Sequence, residues 1–174
     1  REAFGAVVAQ AAGGGTFTLG RGGASDAYLY AAASEEELRR VEQLMERGLD
    51  QGGLGFGFGI SYTPGASHHE LWRLFATAAG RQVPVFIHLR SSGAFLAGGA
   101  IAPFQEAIAN AATTGVSLHI VHMNSSAGNQ ARVVLDLIRG AHARGIDVTT
   151  EAYPYTASAS LIESALFDGW TGRP

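Results

Sequence analysis

The chain has 174 residues, 47% of them hydrophobic, which gives room for one globular domain, or a large piece of one, with an ample core. Its formal charge of -3 comes from 12 basic and 15 acidic residues; their dispersal excludes a basic stripe for nucleic acid or an anionic membrane and leaves a small molecule as the default partner. Cysteine is absent, so disulfides and thiolate metal ligands are excluded within the chain, and a reducing, cytoplasmic setting is the expectation.

Residues 1–34 are rich in Gly and Ala and carry little periodicity beyond a short strand expected at Thr16–Leu19; helix ends and loops are expected for the rest. A helix start is well marked at Ser34, with Glu37 three residues on and Glu35 and Glu36 at the positive end of the dipole. Leu38, Val41, Met45 and Leu49 continue it as one apolar stripe, ended by Gly52 and Gly53. Four short apolar runs follow, centred near Gly57, Phe86, Ile120 and Val148, at intervals of 29, 34 and 28 residues. Helical periodicity occupies about 66–81, 101–114 and 130–144 between them. Strands and helices alternating at this interval predict a parallel α/β architecture with right-handed crossovers. A complete eightfold barrel needs about 250 residues, so the chain would hold part of one. It opens on Arg1 rather than Met and ends directly after structured-looking sequence, and a fragment is expected.

The segment GGLGFGFG does not read as a dinucleotide fingerprint. Its glycines at 53, 55, 57 and 59 keep a two-residue interval, and a turn, SYTPG, follows in place of a helix. Glycines on one strand face instead permit close packing or approach to backbone. No apolar stretch approaches the roughly 20 residues needed to span a bilayer, and no secretory pattern opens the chain.

The chemistry concentrates at strand ends. His88 closes VFIHLR and His122 closes LHIVHM, 34 residues later; in a parallel βαβ unit both reach the carboxyl-terminal edge of one sheet, where α/β barrels keep their active sites. Alternation groups Phe86 with His88, and Leu118 and Ile120 with His122, leaving His119 to point the other way as a hydrogen-bonded residue under the helix layer. Two neutral imidazoles suit an open zinc site. His68 and His69 follow the cap candidate Ser67 and are expected on an exposed first turn; HHELWRL departs from the zinc-protease pattern because Arg73 stands where the second histidine belongs. His142, late in a helix, is expected in solvent. Arg90 offers a fork suited to a carboxylate. Asn124, Ser125 and Ser126 follow His122, and Glu151, Tyr153 and Tyr155 follow the fourth strand. Together these suggest a pocket for an anionic small molecule.

At GFGISYTPGA, VFIHLRSSG, LHIVHMNSS and VTTEAYPYTA, with FTLGRGGASDAY before them, the chain resembles the N-acyl-D-amino-acid deacylases of the amidohydrolase superfamily, particularly those of the N-acyl-D-glutamate type. The resemblance covers nearly the whole chain. It implies a metal-dependent (βα)8 barrel of which residues 1–174 supply about strands four to seven. It places His88 and His122 at the family's zinc ligands on strands five and six, and Tyr62 and Tyr155 at tyrosines that bind the substrate carboxylate region. Some members carry Lys where this chain has Asn124, which shifts weight for the carboxylate toward Arg90 or alters side-chain preference. The family's early His-x-His strand, its further metal ligand and its late proton-accepting Asp have no counterpart in these 174 residues. The implied reaction is zinc-dependent hydrolysis of an N-acyl-D-amino acid by the complete enzyme, with the rest of its own barrel as partner and the isolated section inactive. The alternative is a non-catalytic half-barrel that binds an anionic small molecule. A Schiff-base lyase or aldolase is disfavoured because the chain has no lysine.

Overall fold

The computed structural model describes residues 30–90 and 100–157 in full, and the backbone of two earlier strands, β1 (Val7–Gln10) and β2 (Thr16–Leu19). Then come α1 (Glu35–Asp50), β3 (Phe56–Gly59), a single 3-10 turn (Ile60–Tyr62), α2 (His68–Gly80), β4 (Val85–His88), α3 (Ile101–Thr114), β5 (Leu118–Ile120), a short α4 (Met123–Ala127), α5 (Ala131–His142) and β6 (Val148–Thr150). The sheet order is β2-β1-β3-β4-β5-β6. From β3 to β6 every pairing is parallel, each strand joined to the next through helix. This is the alternation expected from the spacing, and it gives four parallel strands linked by helices, as in a section of an α/β barrel.

The first 34 residues differ from expectation. Thr16–Leu19 is the strand anticipated, but Val7–Gln10 is a second strand where loop was expected, and it runs antiparallel to both β2 and β3. The sheet is therefore mixed rather than wholly parallel. Four residues flanked by Gly and Ala are too short for periodicity to register, so only tertiary pairing defines β1.

Local chemistry accounts for the helix limits. At α1 the Glu37 amide donates to Ser34 Oγ at 3.3 Å and the Ser34 amide donates to Glu37 Oε2 at 2.9 Å, a complete capping box. At α2 the Glu70 amide donates to Ser67 Oγ at 3.0 Å. Helix α3 ends on Gly115 with φ of 75°, which removes the Cβ clash of a left-handed residue.

The helices bury their apolar stripes on one face of the sheet. Phe56, Phe58, Val85, Ile87, Leu118, Ile120 and Val148 from the strands meet Leu38, Met45, Leu71, Phe75, Phe104 and Val134 from the helices in one core. Fully burying each large side chain contributes about 1.5–3 kcal/mol of transfer free energy. The opposite face carries Gly57, Phe86, His119 and Thr149, aligned by register across the four parallel strands. Gly59, beside His88, lets the Tyr62 ring fold back over the strand end: a Cβ there would lie 3.1 Å from Tyr62 Cδ2. Among the described residues no helix is long and apolar enough to cross a membrane.

Candidate metal and substrate site

Parallel strands deliver their carboxyl ends to one edge, so the residues just after β3, β4, β5 and β6 converge there. The rings of His88 and His122 meet with centroids 4.5 Å apart and planes at 73°. Tyr62 lies 5.1 Å from His88, Tyr153 lies 6.0 Å from His122, and Tyr155 lies 5.9 Å from Tyr153.

His122 reaches this edge by a route that alternation does not give. Strand β5 ends at Ile120, with Leu118 and Ile120 both facing the helices. His119 therefore lies on the opposite face, which corrects the expectation that it sits under the helix layer. It is hydrogen-bonded as expected, its Nδ1 2.8 Å from Thr149 Oγ1, and its ring is 5.5 Å from Phe86. Three residues after His119 the backbone turns: His122 adopts φ of 37° and ψ of 55°, a left-handed conformation uncommon outside glycine. Neighbouring bonds hold the turn. Glu151 Oε1 accepts the His122 amide at 3.3 Å, the Glu151 carbonyl accepts the Met123 amide at 2.9 Å, and the His122 carbonyl accepts the Ser125 amide at 3.0 Å.

The two imidazoles differ in their surroundings. Nδ1 of His88 lies 3.0 Å from the buried hydroxyl of Ser61 and 3.3 Å from the Leu89 carbonyl oxygen. Burial, the largest influence, holds the His88 pKa below its ordinary value against the opposing pull of the Leu89 carbonyl, and His122 lowers it further. His88 is thus neutral at pH 7, the form that binds metal. His122 has a buried Nδ1 with no hydrogen-bond partner among the described residues, leaving unsatisfied a lone pair or proton that a structural histidine would satisfy. This donor set fits a borderline-soft divalent cation. It is incomplete, since no group of three or more His, Asp, Glu or Cys comes together among the described residues.

The expected substrate contacts are distributed unequally. Tyr62 and Tyr155 stand exposed at the edge, with relative accessibilities of 39% and 73%. Arg90 is committed inside the protein: Nε and Nη2 donate to Glu106 Oε2 and Oε1 at 2.9 and 2.8 Å, and Nη1 donates to the Ala66 carbonyl. Asn124 is committed too, to the backbone of Tyr153. His68 is exposed as expected, yet its Nδ1 lies 2.6 Å from Glu106 Oε1. Burial pushes the Glu106 carboxyl up, but the bonds and charge of Arg90, aided by His68, outweigh it and hold the group below the usual carboxylate range.

Ser61 and Glu106 escaped the sequence reading. Ser61 offered only its place before Tyr62. Glu106 left a fainter trace, as the one acid on a helix whose other inward positions are Phe104, Ala107, Ile108 and Ala111.

A mixed sheet whose strands β3 to β6 run parallel, with paired histidines at their carboxyl edge, has the form of a section of an α/β barrel. No family model matches the chain. It is 30% identical over 138 residues to the N-acyl-D-glutamate deacylase of Alcaligenes xylosoxydans xylosoxydans, a match covering 76% of this chain and 27% of that enzyme. Among solved structures it is similar to the N-acyl-D-glutamate deacylase of Bordetella bronchiseptica, determined with zinc and a phosphonate mimic of the tetrahedral intermediate: TM-score 0.63, 28% identity, 73% of this chain and 27% of that one. A D-aminoacylase structure gives a TM-score of 0.62 at 24% identity over 73% of this chain and 27% of that one, a likeness of fold. The chain is similar to these N-acyl-D-glutamate deacylases and spans 27% of their length.

Proposed function

We propose that this sequence supplies the two-histidine strand-end section of a zinc-dependent amidohydrolase that cleaves the amide bond of an N-acyl-D-amino acid to a carboxylate and a D-amino acid. A cytoplasmic setting is part of the proposal and rests on the lack of cysteine. The observation that carries the functional reading is the 4.5 Å approach of the His88 and His122 rings at the ends of adjacent parallel strands. Two of the metal's ligands are His88 and His122. Bound there, zinc supplies Lewis-acid polarisation of an amide carbonyl and a lowered pKa for water.

The rest of the work falls to the protein around them. Ser61 and the Leu89 carbonyl orient the His88 ring. The Glu151 side chain and carbonyl hold the turn that brings His122 across. Tyr62 and Tyr155 present phenols at the open edge, where they bind the carboxylate end of the substrate by hydrogen bonding. Arg90 fixes the wall through its paired bonds to Glu106.

The test is made on the complete polypeptide carrying this sequence. His88→Ala or His122→Ala should remove zinc and hydrolysis of N-acyl-D-glutamate together, while Tyr155→Phe should mainly raise KM. Zinc stoichiometry unchanged in either histidine variant would rule the assignment out.

A further inference from the structure

Asn124 spends both ends of its amide on a single residue. Its Nδ2 donates to the Tyr153 carbonyl at 3.0 Å and its Oδ1 accepts the Tyr153 amide at 3.3 Å. A side chain here makes the two-bond exchange of an antiparallel residue pair, just beyond the last register pair of the parallel β5 and β6, Ile120 with Thr150. The sequence prepares the partner. Pro154 confines Tyr153 to extended backbone, in which its own N–H and C=O point the same way. A side-chain amide offers a donor and an acceptor on two separate atoms; lysine lacks the acceptor, and aspartate at neutral pH lacks the donor. The clamp joins the turn carrying His122 to the segment carrying Tyr153, whose half-buried ring sits 6.0 Å from His122 and 5.9 Å from Tyr155.

We propose that Asn124 is a positioning residue that shapes substrate recognition through Tyr153, with the Tyr153 ring as a wall against which an N-acyl amino acid packs, and that Asn124 does not itself touch the substrate carboxylate. This rests on the deacylase reading above.

The experiment uses the complete zinc-loaded polypeptide and its Asn124→Ala, Tyr153→Ala and doubly substituted forms. Asn124→Ala should raise KM for an N-acyl-D-amino acid by about tenfold, the equivalent of one lost hydrogen-bonded contact. It should weaken inhibition by the carboxamide-capped counterpart by the same factor and leave zinc content unchanged. The doubly substituted form should be no worse than Tyr153→Ala, since the two act as one unit. Amide hydrogen exchange at Tyr153 should speed up in Asn124→Ala whatever the activity. A loss confined to the carboxylate-bearing compound and additive with Tyr153→Ala would overturn the proposal, as would unchanged exchange at Tyr153. A parent protein that neither holds zinc nor hydrolyses the substrate would instead bring down the deacylase reading and the substrate half of this proposal, while the exchange measurement still decides the clamp.

Discussion

His88 is held neutral chiefly by burial, which fixes the sign of a pH effect. Its folded pKa lies below the ordinary 6.5, so on acidification the unfolded chain takes up this proton first, and stability falls as pH drops through 6.5 toward the folded value. His88→Gln should flatten that part of the stability curve, read by urea unfolding between pH 7 and 5. At His122 the backbone matters as much as the ring. Asn tolerates the left-handed conformation and a β-branched residue does not. His122→Val should therefore be less stable than His122→Asn by about 1–2 kcal/mol in denaturant unfolding; equal midpoints would show that the turn relaxes at no cost. Both histidines were legible as strand-end residues from VFIHLR and LHIVHM. The route of His122 was not, because alternation assumes the strand continues and the left-handed turn that ends it has no glycine to announce it.

The helices were legible where their ends are chemically marked, and the Ser34 box with its four-residue stripe reproduced α1 almost to the residue. Breaking it by Ser34→Ala should cost about 1 kcal/mol, measured on thermal or denaturant unfolding. What pattern does not carry is contact across elements. The Arg90–Glu106 pair links the end of β4 to α3, and its side chains are 20% and 13% exposed. Glu106→Gln leaves the guanidinium without its counter-charge and should destabilise by about 2–4 kcal/mol, somewhat under the cost of breaking a fully buried pair; removing both groups, as in Arg90→Met with Glu106→Leu, should recover much of that loss. The Glu106 carboxyl titrates below its ordinary value, so its contribution is present above the unfolded pKa and fades as pH falls through the folded one. Glu106→Gln should thus lose acid sensitivity below about pH 4.5. The short β1 and α4 were missed for the complementary reason: four or five residues hold too little pattern to outweigh a Gly- and Ala-rich or Ser-rich setting.

At the scale of the molecule, the spacing of four apolar runs was enough to define the parallel order β3 to β6, since successive strands joined by helices have few other right-handed solutions. The antiparallel β1 and β2 were beyond it. One consequence concerns the sheet face opposite the helices, where Phe86 is 42% exposed in a row with His119 and Thr149. Among the described residues β2 and β6 stand at the two ends of the order, and open strand edges invite pairing with other chains. The 174-residue chain produced alone should therefore associate with a concentration dependence visible in sedimentation. A longer polypeptide carrying the remaining barrel strands should sediment as a discrete species.

Gly59 gives a handle on this edge that leaves the imidazoles alone. One added methyl would press on Tyr62 at 3.1 Å, a few tenths of an ångström inside ordinary contact, and the tyrosine, facing solvent on its far side, has room to swing. Gly59→Ala thus works as a shim, nudging one phenol outward while the two histidines stay where they were, and a family of such spacers would allow the reach of the mouth to be retuned.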